Sequence, residues 1–279
     1  MRIIRAILAH PSGRIGALII AIYLVAALLG ALGLTPHNAL RQFPIDRLKP
    51  PNSIYWFGTD LLGRDTLSRL MLGIGQSFVV AFASVLCATI AGTVIGLLAA
   101  WFGSVWDGML MRLMDVLLAF PAILLALLII AIVGPGTTTS IAAIAIVYTP
   151  IFARVVRGPA LSLKQREFVE AARTFGSSPG YILTRHLLLN LVAPLTVQVT
   201  LALAWALLTE AGLSFLGLGT QPPAPSLGLM LSESKNLMQH APWLMLFPGL
   251  TIMLGILGFN LAGDALRDIL DPRTRGRTQ

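Results

Sequence analysis

Charge is scarce in this 279-residue chain: 11% of the residues are Asp, Glu, Lys or Arg, 56% are hydrophobic, and the mean hydropathy is +0.81. A soluble domain carries about 25% charged residues, so there is too little charge to cover a water-facing surface and much of the surface must face lipid. No polar stretch is long enough for a separate soluble domain, and the chain reads as one membrane-embedded unit. Lysine is rarer still. Lys49, Lys164 and Lys235 are followed by Pro50, Gln165 and Asn236, so none completes the GxxxxGK[ST] loop of a nucleotide site. The single cysteine, Cys87, excludes an intrachain disulfide and, inside an apolar run, reads as a small core hydrophobe. His10, His37, His186 and His240 are scattered without metal-ligand spacing, and no serine stands in a GxSxG elbow. The residues point to no metal site and no catalytic site, hence to a protein that is not an enzyme and holds no cofactor of its own.

The net charge of +8 raises nucleic acid as a partner. The basic residues, however, sit in short clusters between apolar runs, the pattern of membrane loops rather than of a binding face. What the chain has in abundance is apolar runs near the roughly 20 residues that cross a bilayer. Six are predicted: Ile15–Leu34, Ser77–Phe102, Leu113–Val133 with Pro121 inside, Thr138–Val155 with Pro150 inside, Leu191–Leu216 and Trp243–Ala262. The first is too long for the core of a cleavable signal, so it is retained. The second is rich in small residues (Ala81, Ala83, Ser84, Ala88, Ala91, Gly92, Gly96), which suits close helix contact. The fold class is therefore an all-α polytopic membrane protein, divided into residues 1–75 (first span plus an outer loop) and a core of residues 76–279.

Orientation follows the basic residues. With both termini inside, the inner segments hold Arg2, Arg5, Arg14, Arg112, Arg154, Arg157, Lys164, Arg166, Arg173, Arg185, Arg267, Arg273, Arg275 and Arg277. The outer ones hold only Arg41, Arg47, Lys49, Arg64, Arg69 and Lys235. Both termini are expected in the cytoplasm.

The inner loop at about 160–190 is the most informative. Lys164–Phe175 reads as an amphipathic helix, with Phe168, Ala171, Ala172 and Phe175 on one face and Arg166, Glu170 and Arg173 on another. Glu170 is within reach of Arg166 and Arg173. Gly176 supplies a helix stop and Ser178-Pro179 a helix start. The product is an elbow with small residues near its tip, able either to enter a groove on another protein or to lie solvated on the membrane surface. In the outer loop, Asp60/Arg64 and Asp65/Arg69 read as self-pairing on an interfacial helix above Leu61, Leu62, Leu67 and Leu70. Glu210, a carboxylate within the fifth span, costs about 3 kcal/mol at a bilayer centre. It either lines a polar pathway or bonds a backbone or hydroxyl group on a neighbouring helix.

Glu170-Ala171-Ala172, three residues and then Gly176 resembles the EAA loop of bacterial ABC importer permeases. The resemblance extends in order from Phe57-Gly58-Thr59-Asp60 and Leu62-Gly63-Arg64-Asp65 through Asp115 to Pro121, Val156-Arg157-Gly158, Ser214 to Gly219, Gln221-Pro222-Pro223, Ala241-Pro242-Trp243 and Phe259-Asn260-Leu261 to Asp271-Pro272-Arg273. It is that of the second (C-type) subunit of the dipeptide/oligopeptide/nickel subfamily. His186-Leu187-Leu188-Leu189-Asn190 lacks the family's Pro, which implies a smoother entry into the fifth span, and Leu227 follows Ser226 where the family tends to have Trp. The resemblance implies a six-helix type I permease fold in the inner membrane. It also implies a second, homologous permease, two ATPases that use ATP and Mg, and an extracytoplasmic solute-binding protein. The Glu170–Gly176 elbow, with Ala171, Ala172 and Phe175, would be the coupling helix that docks on an ATPase. Dipeptides or oligopeptides are the expected substrate, with nickel or metal chelates, glutathione and opines as alternatives. An ion-coupled secondary transporter is the remote alternative, since it requires more intramembrane ionisable residues or broken-helix repeats than Glu210 provides.

Overall fold

In a bilayer, backbone polar groups are satisfied only inside helices or closed barrels, and the apolar runs accordingly become helices. A computed structural model describes residues 9–270, with no β-strand among the described residues. Arg2, Arg5, Asp271, Pro272, Arg273, Arg275 and Arg277 lie outside the described residues.

The helices are α1 (Pro11–Ala31), α2 (Thr66–Phe102), α3 (Ser104–Leu118), α4 (Ala122–Val133), α5 (Thr137–Lys164), α6 (Glu167–Thr174), α7 (Pro179–Phe215), α8 (Leu227–Ser234) and α9 (Trp243–Leu270). Among the described residues five (α1, α2, α5, α7 and α9) are long and apolar enough to cross a membrane, or six if the bent pair α3 and α4 counts as one span. The third predicted span, Leu113–Val133, is thus not one helix. The chain turns by 91° between α3 and α4, because Pro121 has no N–H to donate and disfavours helical backbone at Phe120. α4 alone, at 12 residues, is about 18 Å long and too short to cross. The fourth span runs past its predicted end to Lys164, straight through Pro150 and Pro159. Arg154 and Arg157 therefore lie on this helix rather than in a loop. Residues 75 and 76, the predicted division, both lie within α2.

Small residues bring the helices together. A Cβ on Gly92 would lie 2.6 Å from Thr149 O and one on Gly96 2.5 Å from Ala153 O, so α2 and α5 touch backbone to backbone, the contact that close-packed membrane helices exploit. At the other side of α2, Phe78 sits between Tyr23 of α1 (ring centroids 5.8 Å) and Phe259 of α9 (5.3 Å). Cys87 is exposed on α2, not in the core. His10 Nε2 lies 3.6 Å from Asp268 Oδ2, which places the start of α1 and the end of α9 at one end of the bundle. The loop between α5 and α7 is at that same end, where Lys164 reaches the last carbonyls of α2.

At the opposite end, residues 32–65 fold over the starts of α2 and α9. Phe57 stacks on Phe247 at 3.9 Å and Trp243 Nε1 donates to Thr59 O at 3.4 Å. Asp60 to Asp65 is loop rather than the predicted helix, and Asp65 does not pair with Arg69. Its carboxylate instead caps α2, accepting from Ser68 N at 2.9 Å and Ser68 Oγ at 2.5 Å, the usual role of Asp before a helix. The Asp60–Arg64 pair does form, at 2.6 Å, but it is buried, and Arg69 joins it to Glu233 of α8. Further along, Asp46 accepts from Lys49 Nζ and, at 2.7 Å, from Tyr55 Oη. These bonds, Lys49's above all, hold its carboxyl below the usual carboxylate range.

Candidate functional site

The elbow between α5 and α7 stands on a platform made by the end of α2. Lys164 Nζ donates to Ala100 O at 3.0 Å and Trp101 O at 2.6 Å, filling carbonyls that a helix end leaves without partners. Arg173 lies over the Trp101 ring at 4.7 Å, a cation–π contact. Arg173 is therefore engaged with Trp101 rather than with Glu170 as the spacing suggested. Beside the platform, Arg157 grips Asp107 with two nitrogens and Arg154 Nη2 meets Asp115 Oδ1 at 2.6 Å, tying α5 to α3.

α6 is shorter than the predicted Lys164–Phe175 helix, because Lys164 ends α5 and Gln165 and Arg166 form the turn. Glu167 and Glu170 occupy its first turn and Arg173 its last, each sign favourable to the helix dipole. Its stop is a Schellman closure: Ser177 N donates to Ala172 O at 3.0 Å and Gly176 N to Arg173 O at 2.9 Å, with Gly176 at φ +78°. Ser178 Oγ then accepts from Tyr181 N at 3.4 Å and Pro179 opens α7. From there the chain continues unbroken into the fifth span, as the missing Pro implies, through a π-helical stretch at Ile182–Leu188.

The sequence-predicted residues are adjacent but do not share one role. Val169, which the pattern did not single out, is the side chain that seats α6: it is fully buried, with Ala172 half-buried beside it. Phe168, Glu170, Ala171, Phe175 and Gly176 are exposed, Phe175 at 88%. The Phe168–Ala171–Phe175 face, read as one amphipathic stripe with Ala172, points away from the chain. The inward face was marked only by Val169 and Ala172 three residues apart, and the larger phenylalanines masked it. Trp101 is distant in sequence and no local signal marks it.

Glu210 stands elsewhere, near the opposite end, about 8 Å before α7 stops at Phe215. It is 1% exposed. Ser214 Oγ donates to its Oε1 at 2.7 Å, and the hydroxyls of Ser77 on α2 and Ser226 before α8 lie close by. Ser77 Oγ in turn accepts from Leu227 N at 3.2 Å. A Cβ on Gly228 would be 2.2 Å from Ala211 O, so α8 rests directly on α7 above this carboxylate.

Comparison with known proteins places this architecture. Residues 92–276 match the model of the binding-protein-dependent transport system inner membrane component family. The chain is 45% identical over 261 residues to the dipeptide transport system permease protein DppC of Alkalihalophilus pseudofirmus, covering 94% of this chain and 86% of that protein. It is 43% identical over 262 residues to the glutathione transport system permease protein GsiD of Pectobacterium atrosepticum, covering 94% and 87%. Among solved structures, the inward-facing MetNI methionine ABC transporter superposes with a TM-score of 0.58 at 19% identity, over 71% of this chain and 94% of that one. The fold is thus that of a type I ABC importer permease. With its multiple apolar spans, the chain belongs to the family of inner-membrane components of binding-protein-dependent transport systems.

Proposed function

We propose that this permease imports short peptides, that it forms the translocation pathway with a second, homologous permease, and that it takes its power from two cytoplasmic ATPases through α6. The observation that carries the coupling role is the exposed face of α6. A short helix held by one buried valine and a cation–π contact presents Phe168, Ala171 and Phe175 outward, an apolar face that a docking partner would cover. The peptide class is supported by the names of the relatives, among them dipeptide and glutathione permeases and putative peptide permeases of Brucella. An extracytoplasmic binding protein would deliver the substrate, and ATP with Mg would be consumed on the ATPases.

In this reading α6 is a lever. Movement of the ATPases shifts the elbow, and the unbroken run from Pro179 to Phe215 carries the shift across the membrane, exchanging inward for outward access. The elbow end, with the start of α1 and the end of α9, faces the cytoplasm. A reporter fused after Gln279 that works only in the cytoplasm should be active; activity of a periplasmic reporter there overturns the orientation. The residues after 75 serve this machinery, and the first span with the outer loop brace it. Glu210 acts as a fastener among α2, α7 and α8 rather than as a pathway group.

The decisive experiment is the double substitution Glu170→Lys, Ala171→Asp in the reconstituted transporter. Insertion and subunit content stay normal, and substrate-stimulated ATP hydrolysis falls to the unstimulated level. Normal stimulation removes the lever.

A further inference from the structure

Beneath the outer loop, Asp60, Arg64, Arg69 and Glu233 wall a cavity of ≈ 340 Å³, within the roughly 300–1,000 Å³ of small-molecule sites. Its remaining walls include Leu62, Met230, Leu237 and Leu244. The four charges cancel, but the hydrogen bonding does not. Two guanidinium groups carry about ten N–H donors, yet among the described contacts these make four bonds, all to Asp60 and Glu233. Both bonds of Arg69 leave from Nη1, and its Nε is buried without an acceptor. Arg69 itself is 2% exposed.

The two acids are not equivalent. Asp60 is fixed, accepting from Leu62 N at 2.8 Å and Arg64 N at 2.9 Å as well as from both arginines. Glu233 brings a single oxygen, 2.9 Å from Arg69 Nη1 and 3.5 Å from Arg64 Nη2, and its side chain is 35% exposed at the mouth. An arriving anion can replace the second without disturbing the first.

We propose that this cavity binds a small carboxylate on an apolar stem, the chemistry of the C-terminal residue of a short peptide, and that the ligand carboxylate takes the place of Glu233 on Arg64 and Arg69. The exchange is anion for anion, so neither buried guanidinium is left without a counter-charge, the state that costs most. A carboxylate entering as a free group also offers two oxygens to a planar donor fork where Glu233 offers one. The leucine and methionine walls take the stem. The identity of the stem rests on the short-peptide reading; the carboxylate site does not.

The test is calorimetric titration of leucyl-leucine, and of its C-terminal amide, into the complete transporter in nanodiscs without binding protein or nucleotide. The acid should bind and the amide should not. Glu233→Gln should tighten binding about tenfold, because a neutral amide competes less for the arginines. Leu237→Trp, which fills the cavity and leaves the charges in place, should abolish binding in a variant whose melting temperature shows it folded. Absence of heat in both wild type and Glu233→Gln up to about 10 mM overturns the site, as do equal binding of the amide and binding that survives Leu237→Trp. Should Glu233→Gln tighten the binding protein while leucyl-leucine gives no heat, the arginines serve a docking protein and the ligand site is likewise overturned. Uptake measured in parallel separates the readings, since a lost site with normal peptide uptake leaves peptide import standing.

Discussion

The two ends of the bundle solve opposite problems. At the outer end the chain is closed upon itself: Asp65 caps α2, Thr59 is held by Trp243, Phe57 is stacked on Phe247, and two arginines are buried against two acids. At the elbow end, α6 is seated by Val169 and Arg173, and its phenylalanines and Glu170 face outward. An end whose loop is packed and bonded onto its own helices can hold its shape unaided. One that leaves an apolar face uncovered has a shape suited to a partner. The difference marks where this permease closes upon itself and where it leaves a face uncovered.

Glycine gives the sharpest test of that contrast, because Gly63 and Gly176 share a left-handed backbone, φ +74° and +78°. A Cβ on Gly63 would stand 1.8 Å from Phe43 O, whereas one on Gly176 meets nothing within 4 Å. Gly63→Ala should therefore cost at least about 3 kcal/mol and loosen the outer loop, while Gly176→Ala should cost only about 1 kcal/mol. Thermal melts with limited proteolysis of residues 32–65 measure both, and equal losses would erase the distinction between the ends.

Glu210 comes next. Glu210→Leu removes the acceptor of Ser214 Oγ and should cost about 2 kcal/mol, while Glu210→Gln keeps an acceptor and should melt and transport close to wild type. A Glu210→Gln variant of full stability and no transport would return this residue to the pathway. The last two substitutions test the face of α6. Val169→Ala should lose about 1.5 kcal/mol, and Phe175→Ala less than about 0.5 kcal/mol, yet only Phe175→Ala should lower stimulated hydrolysis at full occupancy of the complex. If the stability losses reverse in order, the assignment of the inward face is wrong.

Most spans were legible because the period and length of an apolar run have one bilayer solution. The break at Pro121 was half legible: proline announces an interruption, but a turn of 91° depends on what α3 packs against, and Arg154 and Arg157 are distant in sequence from Asp115 and Asp107. The elbow was legible through Gly176 and Ser178-Pro179, whose backbone chemistry is local. Its inward face was not, since Phe168 and Phe175 carry more apolar area than Val169 and pulled the pattern one residue aside. In the outer loop, spacing of four residues suggested Asp65 with Arg69, but the helix begins after Asp65, and the carboxylate caps that helix instead.

The sequence by itself determined that this chain lives in a membrane and presents a helix–turn–helix elbow between its fourth and fifth spans, because hydropathy and turn residues act locally. Only the tertiary structure decided which side of α6 faces inward, that Arg69 joins Asp60 to Glu233, and that Glu210 lies among serines from three segments. Those outcomes depend on groups brought together from far along the chain, where burial and hydrogen-bond satisfaction, rather than sequence spacing, choose the partner.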